Sequence, residues 1–272
     1  MLTINPKDIE VPKLHHYLLG AIGPRPIAFA STISEDGTPN LSPFSFFNVF
    51  SANPPILIFS PARSGRTGAT KNTLDNVQET KEVVINVVNH DIVQQMSLSS
   101  SPYDPSIDEF VKAGLTPVAS EEIRPFRVKE SPVQFECKVN EIVELGQNGG
   151  AGNLVICEVV KIHINEAILD DKGMIDQHKI DLVSRMGGNW YCRADKNSMF
   201  EIKKPITSIG IGVDQIPSAI RNSAVLSGND LGLLGSVEAI PAGSPTDASQ
   251  HKEAKELLAK DDVEAAWKVL LS

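Results

Sequence analysis

Between residues 27 and 88 the apolar positions recur in short runs, β-branched or aromatic, which is the pattern of strands joined by turns. Residues 27–33 predict one strand, and the turn residues Glu35, Asp36, Gly37 and Thr38 predict a hairpin into the stretch that follows. Pro24 and Pro26 force an extended approach to that first strand, because the residue before a proline is pushed out of the helical region. Residues 83–88 are continuously apolar apart from Asn86 and predict a buried strand. Helical spacing begins near Thr70 to Thr73 and runs through Leu74, Val77 and Thr80; it returns over residues 92–98. Ser106 with Glu109 reads as a capping box that opens a short helix over Phe110 and Val111 and closes at Gly114. Residues 13–20 fit a helical turn or a strand equally well.

Residues 133–143 and 154–164 alternate as two long strands, with the glycine-rich residues 146–152 between them. A strand follows those glycines where a dinucleotide fingerprint requires a helix, so they form a hairpin loop. Gly210 and Gly212 lack the third glycine of a Rossmann turn. From about Arg193 the pattern changes: residues 217–226 and 230–237 fit short helices, and residues 241–245 read as a linker. Two amphipathic helices then close the chain, one carrying Ala254, Leu257 and Leu258, the other Val263, Ala266, Trp267 and Leu270. The expected organisation is one β-rich domain over residues 1–192 and a partly helical extension over 193–272. Hairpin-connected strands without regular βαβ alternation favour an antiparallel barrel over a doubly wound sheet.

The stretch over residues 40–51 breaks the ordinary pattern. Read as extended, Leu41, Pro43, Ser45, Phe47 and Val49 fall on one side; Ser42, Phe44, Phe46, Asn48 and Phe50 fall on the other. Neither side is purely apolar, as one face of a half-buried strand would be. Mixed aromatic rings and short polar groups suit a flat heteroaromatic ligand with polar edges. Residues 60–73, after a further apolar run, carry Arg63, Arg66 and Lys71, no acid, and many hydroxyls and glycines. In a chain of formal net charge −9 this is a local reversal of sign, and its donors suit a phosphate. A helix starting at its end would add its N-terminal amides.

The acidic balance argues against a nucleic-acid or anionic-membrane surface. Cys137, Cys157 and Cys192 are odd in number and widely spaced, which fits a reducing compartment and neither a disulfide framework nor a zinc site. The first residues lack a basic region followed by an apolar core, so a soluble, cytoplasmic protein is expected. Six histidines are scattered without ligand spacing, and no metal site is expected.

Several motifs now fall into one order: residues 24–32 (Pro-Arg-Pro-Ile-Ala-Phe-Ala-Ser-Thr), residues 37–48 (Gly-Thr-Pro-Asn-Leu-Ser-Pro-Phe-Ser-Phe-Phe-Asn), then Lys71, Asn72, Thr73 and Asn76. Residues 109–116, Glu130 to Val133 with Glu136 and Cys137, and residues 185–188 (Arg-Met-Gly-Gly) with Tyr191 follow. Over roughly residues 15–191 the chain resembles the flavin reductase-like, FMN-binding split-barrel proteins, and within them the flavoredoxin-like branch. The resemblance implies a six-stranded antiparallel split β-barrel with short helices, a homodimer, and FMN near the dimer interface. It implies that Asn40, Ser42, Pro43, Ser45, Phe46, Phe47 and Asn48 hold the flavin ring, and that Ser60, Lys71, Asn72 and Thr73 hold the ribityl chain and phosphate. Arg25 and Arg185 are implied as second contacts.

Members of this family use NADH or NADPH as electron donor, serve as reductase components for a monooxygenase partner, or carry electrons to another acceptor. A flavin performs the redox chemistry itself, so no catalytic acid–base residue or nucleophile is expected. One departure stands out: the short flavin reductases carry Gly-Asp-His where the second long strand begins, and this chain has Gly152, Asn153 and Leu154. The histidine linked there to pyridine nucleotide is absent; His178, just before residues 185–188, is a candidate nicotinamide contact, and Trp190 and Tyr191 fit either flanks of the flavin or interface packing. Three readings stay open: an NAD(P)H:flavin oxidoreductase, an electron-carrying flavoprotein, and a non-redox flavin-binding barrel.

Overall fold

The protein is described by a computed structural model covering residues 1–271. The chain forms two compact units, Met1–Phe200 and Glu201–Ser272. The first contains helix α1 (Val11–Ala21), strands β1 (Ala28–Ile33), β2 (Pro39–Phe44), β3 (Phe47–Ala52) and β4 (Pro55–Phe59), α2 (Asn72–Thr80) and β5 (Glu82–Val87). After α3 (Val93–Ser99) and α4 (Glu109–Ala113) come the two-residue strands β6 (Pro117–Val118) and β7 (Arg127–Val128) and the long hairpin β8 (Val133–Glu144) and β9 (Asn153–Ile164). A small ribbon, β10 (Val183–Arg185) and β11 (Tyr191–Arg193), ends it.

Seven antiparallel strands form the main sheet, in the order β2-β1-β5-β8-β9-β4-β3. The six strands implied by resemblance are thus corrected to seven. The cause lies in the aromatic stretch, which is two strands rather than one. β2 pairs with β1 at one edge of the sheet, while β3 pairs with β4 at the other. Only Ser45 and Phe46 connect them, and three peptide steps reach roughly 10 Å. The two edges are therefore drawn together at that corner and the sheet curls into a barrel, split along a seam where β2 and β3 do not pair among the described residues.

Two clusters of buried side chains explain the mixed patterning. Ala28, Ala30, Phe44, Phe59, Ile85, Cys137 and Cys157 fill the barrel, together with Leu74 and Val77 from α2. Phe29, Leu41, Met96, Phe110 and Val128 pack between the outer sheet face and α3 and α4. Consequently β1 is buried along its whole length, and β2 buries Leu41 on one face and Phe44 on the other. Burial of both cysteines pushes the Cys137 and Cys157 thiols up, as expected for core thiols.

The α4 cap differs from the expected box. Asp108 is the cap and accepts from the Phe110 amide (2.8 Å), while Ser106 bonds to Asp104 instead. Glu109 turns inward and binds β2, as described below.

The second unit is helical: α5 (Ser218–Arg221), α6 (Gly228–Leu234), α7 (His251–Leu258) and α8 (Val263–Leu270) surround Ile216, Ile220, Leu258 and Trp267. Trp267 Nε1 donates to the Leu234 carbonyl (3.1 Å), so this buried indole is satisfied. No helix among the described residues is long and apolar enough to cross a membrane.

Candidate functional site

The seam opens onto a cleft of about 300 Å³. The end of β2 and the link beyond it, Ser42 to Phe46, form one wall; Ser60, Ala62 and Lys71 face it. Arg25, Arg185 and His15 and Leu19 of α1 also line it. The lining contains no aspartate or glutamate, in a chain of net charge −9.

Each wall has a local cause. Ser60 leaves β4 with its amide donating to the Phe46 carbonyl (2.8 Å), and its hydroxyl accepts from the Asn153 amide (3.0 Å). Asn153 is fully buried, with its side-chain amide on the Pro61 carbonyl (2.8 Å). Gly152 sits so close to this junction that a Cβ there would fall 2.8 Å from Ser60 Oγ. The loop over residues 61–71 is held against the β8–β9 turn by Arg63, whose amide bonds to the Ala151 carbonyl (2.8 Å) and whose carbonyl takes the Gly150 amide (3.0 Å). Lys71 occupies the N-cap position of α2 without capping it through its side chain. Its ammonium is exposed and makes no ion pair among the described residues.

Arg25 and Arg185 are locked together through their backbones, amide to carbonyl in both directions at 2.9 and 2.8 Å. The Arg25 side chain is only 6% exposed and serves as a clamp. It donates to the carbonyls of Leu19 (2.9 Å), Ile22 and Met186 (2.8 Å), and to Ser45 Oγ (3.4 Å). Burial, then the neighbouring Arg185 charge, lowers its pKa from the ordinary arginine value. The Arg185 guanidinium lies 4.6 Å from the centre of the Tyr191 ring, directly across the β10–β11 ribbon. Neither arginine has a carboxylate partner among the described residues.

Of the residues singled out in the sequence, the cleft unites Arg25, Ser42, Pro43, Ser45, Phe46, Ser60, Lys71 and Arg185. Five of the implied FMN contacts lie outside its lining. Asn40 is buried in a side-chain network, accepting from Thr73 (2.7 Å) and Thr32 (3.3 Å) and donating to Glu109 (3.1 Å). Thr73 is thereby committed to that network. Glu109 also accepts from the Leu41 amide (3.0 Å), and burial raises its pKa. Asn72 faces a separate, acid-lined recess with Asp75 and Glu79. Phe47 packs against the barrel core, and Asn48 is exposed, its side chain accepting from the Val49 amide (2.9 Å). His178 is exposed beside Lys179 and Asp181, away from the cleft. Trp190 is 77% exposed. Sequence reasoning missed His15, Leu19 and the clamp role of Arg25; an unclassified N-terminal segment gave no sign that α1 would fold over the seam.

Residues 21–180 match the family described as flavin reductase like domain. An uncharacterized protein from Aquifex aeolicus is 37% identical over 189 residues, spanning 69% of this chain and 93% of the relative. Nitrilotriacetate monooxygenase component B from Bacillus cereus superposes with a TM-score of 0.69 at 31% identity, over 74% of this chain and 98% of that one. The 2-nitrobenzoate 2-nitroreductase NbaA of Pseudomonas fluorescens superposes with a TM-score of 0.68 at 25% identity, over 78% and 100%.

Proposed function

This chain belongs to the flavin reductase-like family, and on that premise we propose that its seam cleft binds FMN and that the protein is an NAD(P)H-dependent flavin reductase. The observation that carries this reading is the cleft's charge: Arg25, Lys71 and Arg185 line it with no acid among them, beside the hydroxyls of Ser42, Ser45 and Ser60. That donor set fits a phosphorylated ligand with a polar-edged ring. Lys71 and the first amides of α2 meet the phosphate, where a nine-residue helix presents unpaired N–H groups. Ser60 is fixed by Asn153 and orients the chain between phosphate and ring. Ser42, Ser45 and the Phe46 ring hold the ring itself. Arg25, through its bond to Ser45, keeps the link rigid and places positive potential at the ring's polar edge.

Bound FMN supplies the hydride chemistry, with NADH or NADPH as donor. The lining offers no carboxylate for general-base work, so the residues bind, orient and polarise. We further propose a homodimer built on the exposed edge: Val49 and Phe50 of β3 are each 63% exposed, and α1 buries none of its residues within the chain. The likeness to a monooxygenase component B supports a monooxygenase or other acceptor as the recipient of electrons.

One observation favours a second reading. Where the short flavin reductases carry histidine, β9 presents Leu154, which cannot hydrogen-bond a nicotinamide. A flavoredoxin-like carrier, reduced by a protein partner, fits that feature. Titrating the purified protein with FMN, then adding NADH or NADPH without oxygen, separates the readings. Loss of the flavin's visible absorption with either nucleotide supports the reductase. Stable absorption with both eliminates it and leaves the carrier, and failure to take up FMN eliminates both.

A further inference from the structure

The cleft continues past Arg185 into a smaller alcove of about 180 Å³. Its floor is apolar and buried, made of Ile27, Phe44 and Met96. Its polar groups are the Arg185 guanidinium and the hydroxyls of Ser45, Ser97 and Ser100, of which Arg185, Ser45 and Ser100 also line the cleft. Like the cleft, it is lined by no acid. From this geometry we infer that the alcove is a binding site for a small organic carboxylate beside the flavin cleft, with Arg185 as its anchor.

The inference rests on the chemistry of the lining. Arg185 is held on two sides, by its backbone pairing with Arg25 and by the Tyr191 ring, whose centre is 4.6 Å from its guanidinium. A guanidinium carries N–H groups along its edge that match a carboxylate in its own plane. Ser45 Oγ accepts from Arg25 and is assigned to the flavin ring, so the anchoring of a carboxylate falls to Arg185. Ser100 Oγ donates its proton to the Ser97 carbonyl (2.6 Å) and so adds no donor to the alcove. Positive potential is reinforced by Arg25, whose charge meets only carbonyls and a hydroxyl. Bare phosphate would leave the buried apolar floor unused. At about 180 Å³ the space also lies below the roughly 300–1,000 Å³ of pockets that take drug-sized ligands, which sets aside a dinucleotide. A carboxylate on one ring or a short aliphatic body satisfies both ends. Because the alcove shares Pro43, Phe44, Ser45, Ser100 and Arg185 with the cleft, the inference rests on the flavin reading in one respect: a bound flavin must leave the alcove side of the Arg185 guanidinium open.

The test is calorimetric titration of the full chain with sodium benzoate, with and without saturating FMN. Neutral benzamide and inorganic phosphate serve as comparison ligands. The expected result is saturable benzoate binding in both states, with benzamide and phosphate each at least about tenfold weaker, the loss typical of a charge-assisted pair. Arg185→Met is expected to weaken benzoate at least about tenfold, and Arg185→Lys to fall between it and the wild type. Equal binding of benzamide, equal binding of phosphate, an unaffected Arg185→Met protein, or loss of benzoate on adding FMN would each overturn the inference. If Arg185→Met does not fold, the ligand comparison on the wild type decides alone. A protein that takes FMN and not benzoate refutes only the alcove; one that takes benzoate and not FMN refutes only the flavin cleft.

Discussion

Replacing Lys71 with alanine removes one positive charge from the phosphate end of the proposed FMN cleft while leaving the fold alone. Lys71 is exposed, makes no side-chain cap on α2 and has no ion-pair partner among the described residues, so its truncation breaks no native contact of the ammonium. A hydrogen bond to a charged group contributes about 1.5–3 kcal/mol, and solvent exposure places this one at the lower end. Some 1.4 kcal/mol corresponds to about tenfold in affinity. The Kd for FMN is therefore expected to rise about tenfold in Lys71→Ala, while that for riboflavin, which has no phosphate, changes by less than about twofold. Quenching of flavin fluorescence on binding measures both, and thermal unfolding without ligand checks that the two proteins are equally stable. Equal weakening of FMN and riboflavin would show that the phosphate lies elsewhere. So would a salt dependence of FMN binding identical in both proteins, because the lost charge is the one most open to screening.

Four further outcomes follow from the buried polar groups. Glu109→Ala leaves the Leu41 amide and the Asn40 amide group without acceptors and is expected to cost about 2–4 kcal/mol in urea unfolding. Because burial raises the Glu109 pKa, its favourable contribution is complete below the ordinary carboxylate value and declines as pH rises through the raised one; Glu109→Gln should remove that slope. Glu136 behaves oppositely. Burial alone would raise its pKa, but the amides of Glu121 (2.9 Å) and Glu122 (2.7 Å) and the His163 ring (2.7 Å) hold it below the ordinary value. Its contribution is present above that ordinary value and lost as pH falls through the lowered one, so Glu136→Gln should flatten the acid limb of stability against pH. Arg25→Ala frees the carbonyls of Leu19, Ile22 and Met186 and should release α1, seen as faster amide exchange over residues 11–21 with the β5 and β8 amides still protected.

Strands built on periodicity were legible in the sequence, and so was the sign of the site. Residues 133–143 and 154–164 alternate clearly and form β8 and β9 within a residue or so at each end. The acid-free run that includes Lys71 indeed borders the acid-free cleft. What stayed hidden needed knowledge of which edge a strand joins. Asn40 and Thr73 have the composition of ligand contacts, but their hydrogen-bonding capacity is spent on Glu109, Thr32 and each other. Glu109 looked like a helix cap because spacing fits one; the pull of an unpaired edge amide on Leu41 decided otherwise. The split between β2 and β3 did carry a signal. Pro39 and Pro43 both fall within β2, and a strand with two prolines lacks two ladder donors, which belongs at a sheet edge.

That edge position also explains why the site is where it is. A closed barrel satisfies its backbone groups by pairing and leaves none for a ligand. Here β2 turns its unpaired side to β3 and the chain steps across at Ser45 and Phe46, so a row of small hydroxyls and one aromatic ring borders an open seam. Arg25 holds that corner open by bonding Ser45 on one side and the end of α1 on the other. On the reading proposed above, a ligand with a polar-edged ring takes the place of the missing ladder. The energy of association then comes from groups the barrel would otherwise have had to pair with water. Closing the seam with a continuous β2–β3 ladder would thus abolish the cleft, whereas substitutions in the barrel interior, such as Cys157→Ala, should lower stability without selecting between FMN and riboflavin.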